Sequence, residues 1–208
     1  MIRKSTAKGG AWEWSRTAQT RKSMLRAARE AFSEHGFAES NVADVVERAG
    51  SSIGSLYHHF GGKTELYLAL WEDHRRAQEE AAASSVAKAR EAGVTGPVDQ
   101  FIAGARAYLR GSWERRDLTR LFMDGDAPPG FELIRRTRGR EWIRQNAVLL
   151  GAGDTALDRL TAAVLTAAIG EAGREVAVCE TESAADEVID AAVTLIRHLT
   201  SPSPATCP

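Results

Sequence analysis

In the N-terminal third of the chain, apolar residues recur at helical spacing and do not alternate. From Thr17 onward Met24, Leu25, Ala28, Ala31 and Phe32 share one face, with Arg21, Lys22, Arg26, Arg29 and Glu30 around it. Gly36, one residue past His35, predicts where that helix stops. A short helix follows, headed by Asn41, whose Val42, Val45, Val46 and Ala49 fall at i, i+3, i+4 and i+7. Asn can accept a first-turn backbone N–H, and Asp44 in that turn suits the positive end of the helix dipole. Gly50 predicts a tight turn, and Ser51 or Ser52 caps a third helix on which Leu56 and Phe60 face inward. Ser52, Ser55, His58 and His59 are left on its other faces.

The remainder is helical too, in longer runs. Lys63 to Glu91 carries Leu66, Ala69, Leu70 and Trp71 early, then a polar, Ala-rich continuation. After a break from Gly93 to Pro97, the residues Val98, Phe101, Ile102, Ala105, Tyr108, Leu109 and Trp113 form another amphipathic helix, followed by Leu118, Leu121, Phe122 and Met123. The segment Asp124-Gly125-Asp126-Ala127-Pro128-Pro129-Gly130 is one no helix continues through. Helix resumes from Phe131 to about Leu150, carrying Trp142 and five arginines, Arg135, Arg136, Arg138, Arg140 and Arg144. Two last helices span about Asp154 to Val178 and Ser183 to Leu199, with Gly170 and Gly173 permitting close approach of a neighbour. The pattern predicts an all-α fold: a three-helix N-terminal domain over residues 16–62 and a larger helical domain over 63–200. They are flanked by a flexible basic arm, 1–15, and a disordered tail, 201–208.

Charge sharpens this division. The 208 residues carry a net charge of −1, but residues 1–63 hold 10 Lys/Arg against 6 Asp/Glu while the rest hold 17 against 22. Attraction for phosphate is thus expected at the N-terminal end. The two cysteines, Cys179 and Cys207, form neither a disulfide framework nor a metal-ligand spacing, which fits a cytoplasmic setting. The basic first residues lead into no apolar run, so a signal peptide is not expected. No stretch reaches the roughly 18 consecutive apolar residues of a membrane span.

A helix of about eight residues, a Gly-containing turn and a second short helix make a helix-turn-helix. The string Gly36-Phe37, Asn41 through Gly50, Ser52-x-Gly54-Ser55-Leu56-Tyr57-x-His59-Phe60 and Lys63-Thr64-Glu65-Leu66 closely resembles the DNA-binding domain of the TetR family of transcriptional regulators. The resemblance covers residues 17 to 70. It implies that Asn41, Tyr57 and Lys63 hold the DNA backbone, and that Ser51, Ser52, Ile53, Gly54, Ser55 and His58 lie at or near the major groove. No Arg, Asn or Gln stands on this helix to make bidentate base contacts, so much of the sequence preference is expected from DNA shape and half-site spacing. The resemblance further implies a dimeric, ligand-sensing helical body, with the last two helices pairing across the dimer.

Two other chemistries are weaker. Gly62-Lys63-Thr64 mimics the end of a phosphate-binding loop, but Tyr57 stands where that motif needs Gly. His58, His59 and His74 have no metal-ligand spacing. In the body, Phe101, Tyr108, Trp113, Phe122, Met123 and Trp142 are candidates to line a small-molecule pocket, although ordinary core packing explains any one of them better. The five arginines around Trp142 either meet an anionic ligand or form a solvated face. The expectation is a homodimeric regulator, most simply a repressor, with double-stranded operator DNA and an unidentified apolar or amphipathic effector as partners, no cofactor, no metal and no catalytic residues. The competing class is a helical carrier or enzyme with a non-functional head.

Overall fold

The computed structural model describes residues 7–123 and 125–201, with side chains from Thr17 onward. Among these residues all regular structure is helical: α1 (Ala7–Glu39), α2 (Val42–Arg48), α3 (Ile53–Phe60), α4 (Lys63–Glu91), α5 (Pro97–Glu114), α6 (Arg116–Leu121), α7 (Phe131–Leu149), α8 (Ala156–Val178) and α9 (Glu182–Thr200). The expected arm over 1–15 falls outside the described residues up to residue 6, and from Ala7 the backbone is already helical. The expected tail likewise lies outside them beyond Ser201.

The chain divides into two compact units. The first holds the described residues up to Asp73 together with Gly125–Pro128, and the second holds the remainder. In the first, Met24, Ala28, Ala31, Phe32, Val45, Leu56, Leu66 and Tyr67 are all but sealed from solvent. Phe32, Phe37 and Tyr67 form an aromatic trio with centroid separations of 5.2 to 6.1 Å. α1 breaks at Gly36, whose φ of 76° and ψ of 177° interrupt the helix where its stop is expected. Ser40 then folds back, its single hydroxyl proton shared between the Ala31 and Gly36 carbonyls.

Both helices of the motif are capped by their own sequence. The Asn41 side chain accepts from Ala43 N at 2.8 Å, and Asp44 stands in the first turn. At the other end of α2, Ser51 N donates to Val46 O and Gly50 N to Glu47 O, the paired bonds of a Schellman turn; Gly50 supplies its left-handed φ of 60°. Of the two serines after it, Ser52 is the cap of α3, accepting from Ser55 N. Arg48 ties α2 to α1 by bridging Asp44 and Glu34. That hydrogen bond from Arg48 holds the Glu34 carboxyl below the usual carboxylate range, so the tie persists at mildly acidic pH and loosens only as Glu34 protonates.

The second unit is built on α5, α8 and α9. Phe101, Ile102, Leu109, Leu165, Ile169, Val176, Ile189 and Ile196 form its core. α5 and α9 run antiparallel, and exposed ion pairs mark their register: Asp99 with Arg197, Arg106 with Asp190, and Arg110 with both Asp186 and Glu182. Such pairs contribute at most about 1 kcal/mol each, so they select the register more than they stabilise it. Gly173 lets α8 approach α5, with Tyr108 and Ser112 within 3.4 Å of where a side chain would begin. Around Gly170 the space is open in the single chain. No helix among the described residues is long and apolar enough to cross a membrane.

Candidate DNA-binding surface and ligand cavity

α3 is eight residues long and too short to persist alone in water. Leu56, wholly buried, is its anchor; Phe60 is half-buried with the Arg21 guanidinium 5.1 Å from its ring centroid. With that face turned inward, the opposite face is fixed outward. Ile53 is 51% exposed and Tyr57 55% exposed, and Ser52, Gly54 and His58 are exposed beside them; Ser51 and Ser55 are half-buried. Nothing lies within 4 Å of a side chain built at Gly54, so the backbone there is open to close approach.

Of the groups expected on the DNA backbone, Tyr57 stands on this face. Asn41 is exposed, with its side-chain oxygen committed to the α2 cap. Lys63, at the first position of α4, donates from Nζ to Ala38 O at 2.9 Å and sits 4.7 Å from the Phe37 ring centroid. An ammonium has three donors, so two remain beyond that bond.

In the second unit, a cavity of about 300 Å³, at the lower end of the range for small-molecule sites, opens between α4, α5, α7 and α8. Of the six residues expected to line a pocket, Phe101, Tyr108 and Trp142 are brought together there, with Tyr108 and Trp142 at 4.6 Å between centroids. Trp113, Phe122 and Met123 lie outside the lining. Trp113 carries the Arg116 guanidinium 4.3 Å above its ring, and Phe122 is buried 6.1 Å from Phe131 and 5.5 Å from His74. The rest of the lining includes Ala82, Ala83, Val86 and Ala87 of α4, Gly104 and Ala105 of α5, and the polar Gln145 and Asn146 of α7. Burial pushes the Tyr108 hydroxyl pKa up, so it is a neutral phenol at physiological pH. None of the five arginines on α7 enters this cavity's lining; Arg135 and Arg136 pair with Glu132, and Arg138 pairs with Glu141 on the same helix. No cluster of three or more His, Cys, Asp or Glu suited to a metal occurs among the described residues.

Residues 24–70 match the bacterial regulatory proteins of the tetR family. Over 61 residues the chain is 43% identical to the HTH-type transcriptional repressor AcnR of Corynebacterium efficiens, an alignment covering 29% of this chain and 32% of that one. Over 102 residues it is 29% identical to the HTH-type transcriptional activator FasR of Mycolicibacterium smegmatis, covering 49% and 36%. The chain thus spans about a third of the length of these curated relatives. The fold as a whole matches a TetR-like transcriptional regulator from Rhodococcus sp. RHA1, with a TM-score of 0.67 at 24% identity over 88% of this chain and 97% of that one.

Proposed function

We propose that this chain is a TetR-family transcriptional regulator, a cytoplasmic repressor that binds a pseudo-palindromic operator as a homodimer and leaves it when a small apolar or amphipathic effector occupies the body. The observation that carries the DNA-binding part is the outward face of α3: a capped helix, anchored by Leu56, that offers Ile53, Gly54, Tyr57 and His58 to a groove. This face has apolar, hydroxyl and imidazole groups and no bidentate reader, so it docks by phosphate contacts and shape, with Ile53 available to a thymine methyl.

The dimer rests on an apolar stripe that the fold leaves uncovered. Leu157, Leu160 and Val164 on α8 and Leu195 and Leu199 on α9 are all exposed, while Leu165, Ile169 and Ile196 on the same two helices are buried. Two copies joined through this stripe form a four-helix seam and fix the distance between two reading helices, about 34 Å for successive turns of a duplex. The effector rests on the cavity walled by Tyr108 and Trp142. Filling it in advance, by Ala83→Phe, is expected to leave DNA binding intact while abolishing the thermal shift produced by compounds that stabilise the parent protein.

Selection from a random-sequence DNA pool tests the reading. It predicts enrichment of a two-fold related site; a pool that emerges without any shared sequence would rule the reading out. Lys63→Ala combined with Tyr57→Ala is expected to weaken binding to every sequence alike and to lower the slope of log K against log salt by about 0.9 for each phosphate no longer neutralised. Fluorescence anisotropy at several salt concentrations measures this.

A further inference from the structure

The loop between α6 and α7 supplies a residue to the first unit. Gly125–Pro128 belongs to that unit although the helices on either side of it, α6 and α7, belong to the other. Its Asp126 carboxylate accepts from the backbone N–H of Ala38, with both oxygens 3.1 Å from that nitrogen. The approach depends on Gly36: a side chain built there would start 2.2 Å from Asp126 Oδ2. The carbonyl of the same Ala38 is where Lys63 Nζ donates, and the neighbouring Phe37 ring lies beneath the ammonium.

We propose that Asp126 is a positioning residue for DNA binding: by gripping the N–H of Ala38 it fixes the carbonyl and ring that aim Lys63 at a DNA phosphate. The inference rests on the DNA-binding reading above. Lys63 stands on a long flexible stem, and ordering such a side chain costs free energy on binding unless it is already held. Ala38 is held at its N–H by an acidic group and at its carbonyl by a basic one, so the Lys63 ammonium is seated before DNA arrives. The Asp126 carboxylate does not itself touch DNA, which would repel it; its effect passes through one residue of backbone.

A double-mutant cycle on the full-length protein tests this, with a selected operator fragment as the probe. Asp126→Ala is expected to weaken operator binding about fivefold, an effect of the size found between residues sharing one hydrogen-bond network. It should also lower the salt slope by up to about 0.9, as Lys63→Ala does, and add nothing further in the Lys63→Ala background. Asp126→Asn, which keeps an acceptor for the Ala38 N–H, should recover most of the affinity and slope. Should Asp126→Ala fail to fold, the Asn variant and the Lys63 single variant carry the comparison. An Asp126→Ala protein that loses thermal stability yet keeps the parental salt slope, or whose loss adds in full to that of Lys63→Ala, would overturn the proposal while leaving the DNA-binding reading intact. If the parent protein selects no DNA, both fall together.

Discussion

Leu56→Ala is expected to abolish operator binding and to lower the stability of the first unit by about 2 to 5 kcal/mol, the cost of emptying a fully buried leucine site. Leu56 is the only fully buried side chain on α3, and a helix of eight residues does not persist without such burial. Its caps, Ser52 at one end and the left-handed Gly61 at the other, set where the helix begins and ends but not which face turns inward. Once the leucine is shortened, Ile53 and Tyr57 lose their fixed orientation. Thermal unfolding followed by circular dichroism, alongside operator binding, measures both effects. Unchanged melting and affinity would mean that α3 is held by something other than its buried face.

Leu160→Glu with Leu195→Glu is expected to convert the proposed homodimer to a monomer that remains folded. Both side chains point outward, at 61% and 49% exposure, so the core of the isolated chain is untouched when they become polar. In the proposed seam each carboxylate would be buried without a partner, a cost of several kcal/mol per charge. Operator affinity should fall by about 10² or more, because two linked heads gain their strength from binding in a single event. Sedimentation shows the change of mass, and binding to an isolated half-site shows whether the head itself survives. A variant that stays dimeric would place the interface elsewhere.

Much of the DNA-binding head is legible in the sequence because its signals are local. The caps at Asn41 and Ser52, the turn at Gly50 and the break at Gly36 each involve groups within a few residues of one another, and the apolar stripe of α1 is buried as its spacing predicts. The cavity is less legible, because bulky residues mark a lining only where small ones leave space opposite them. Ala82, Ala83, Ala87, Gly104 and Ala105 create that space, and an Ala-rich run reads in sequence as a plain polar helix. Trp113, Phe122 and Met123 have the same composition signal as Tyr108 and Trp142, yet Trp113 and Phe122 are spent on packing elsewhere and Met123 stays out of the lining. Asp126 is not legible at all. Its partner is a backbone N–H 88 residues away, and a bond of that kind imposes no periodicity on either segment.

The most direct test of the central claim is a hydroxyl-radical footprint of the full-length protein on a site recovered by selection. Two protected patches on one face of the duplex, centred about 10 to 10.5 base pairs apart or a multiple of that, are predicted, with both abolished together in the Tyr57→Ala, Lys63→Ala protein. A single unpaired patch, or protection that persists in that variant, would contradict it.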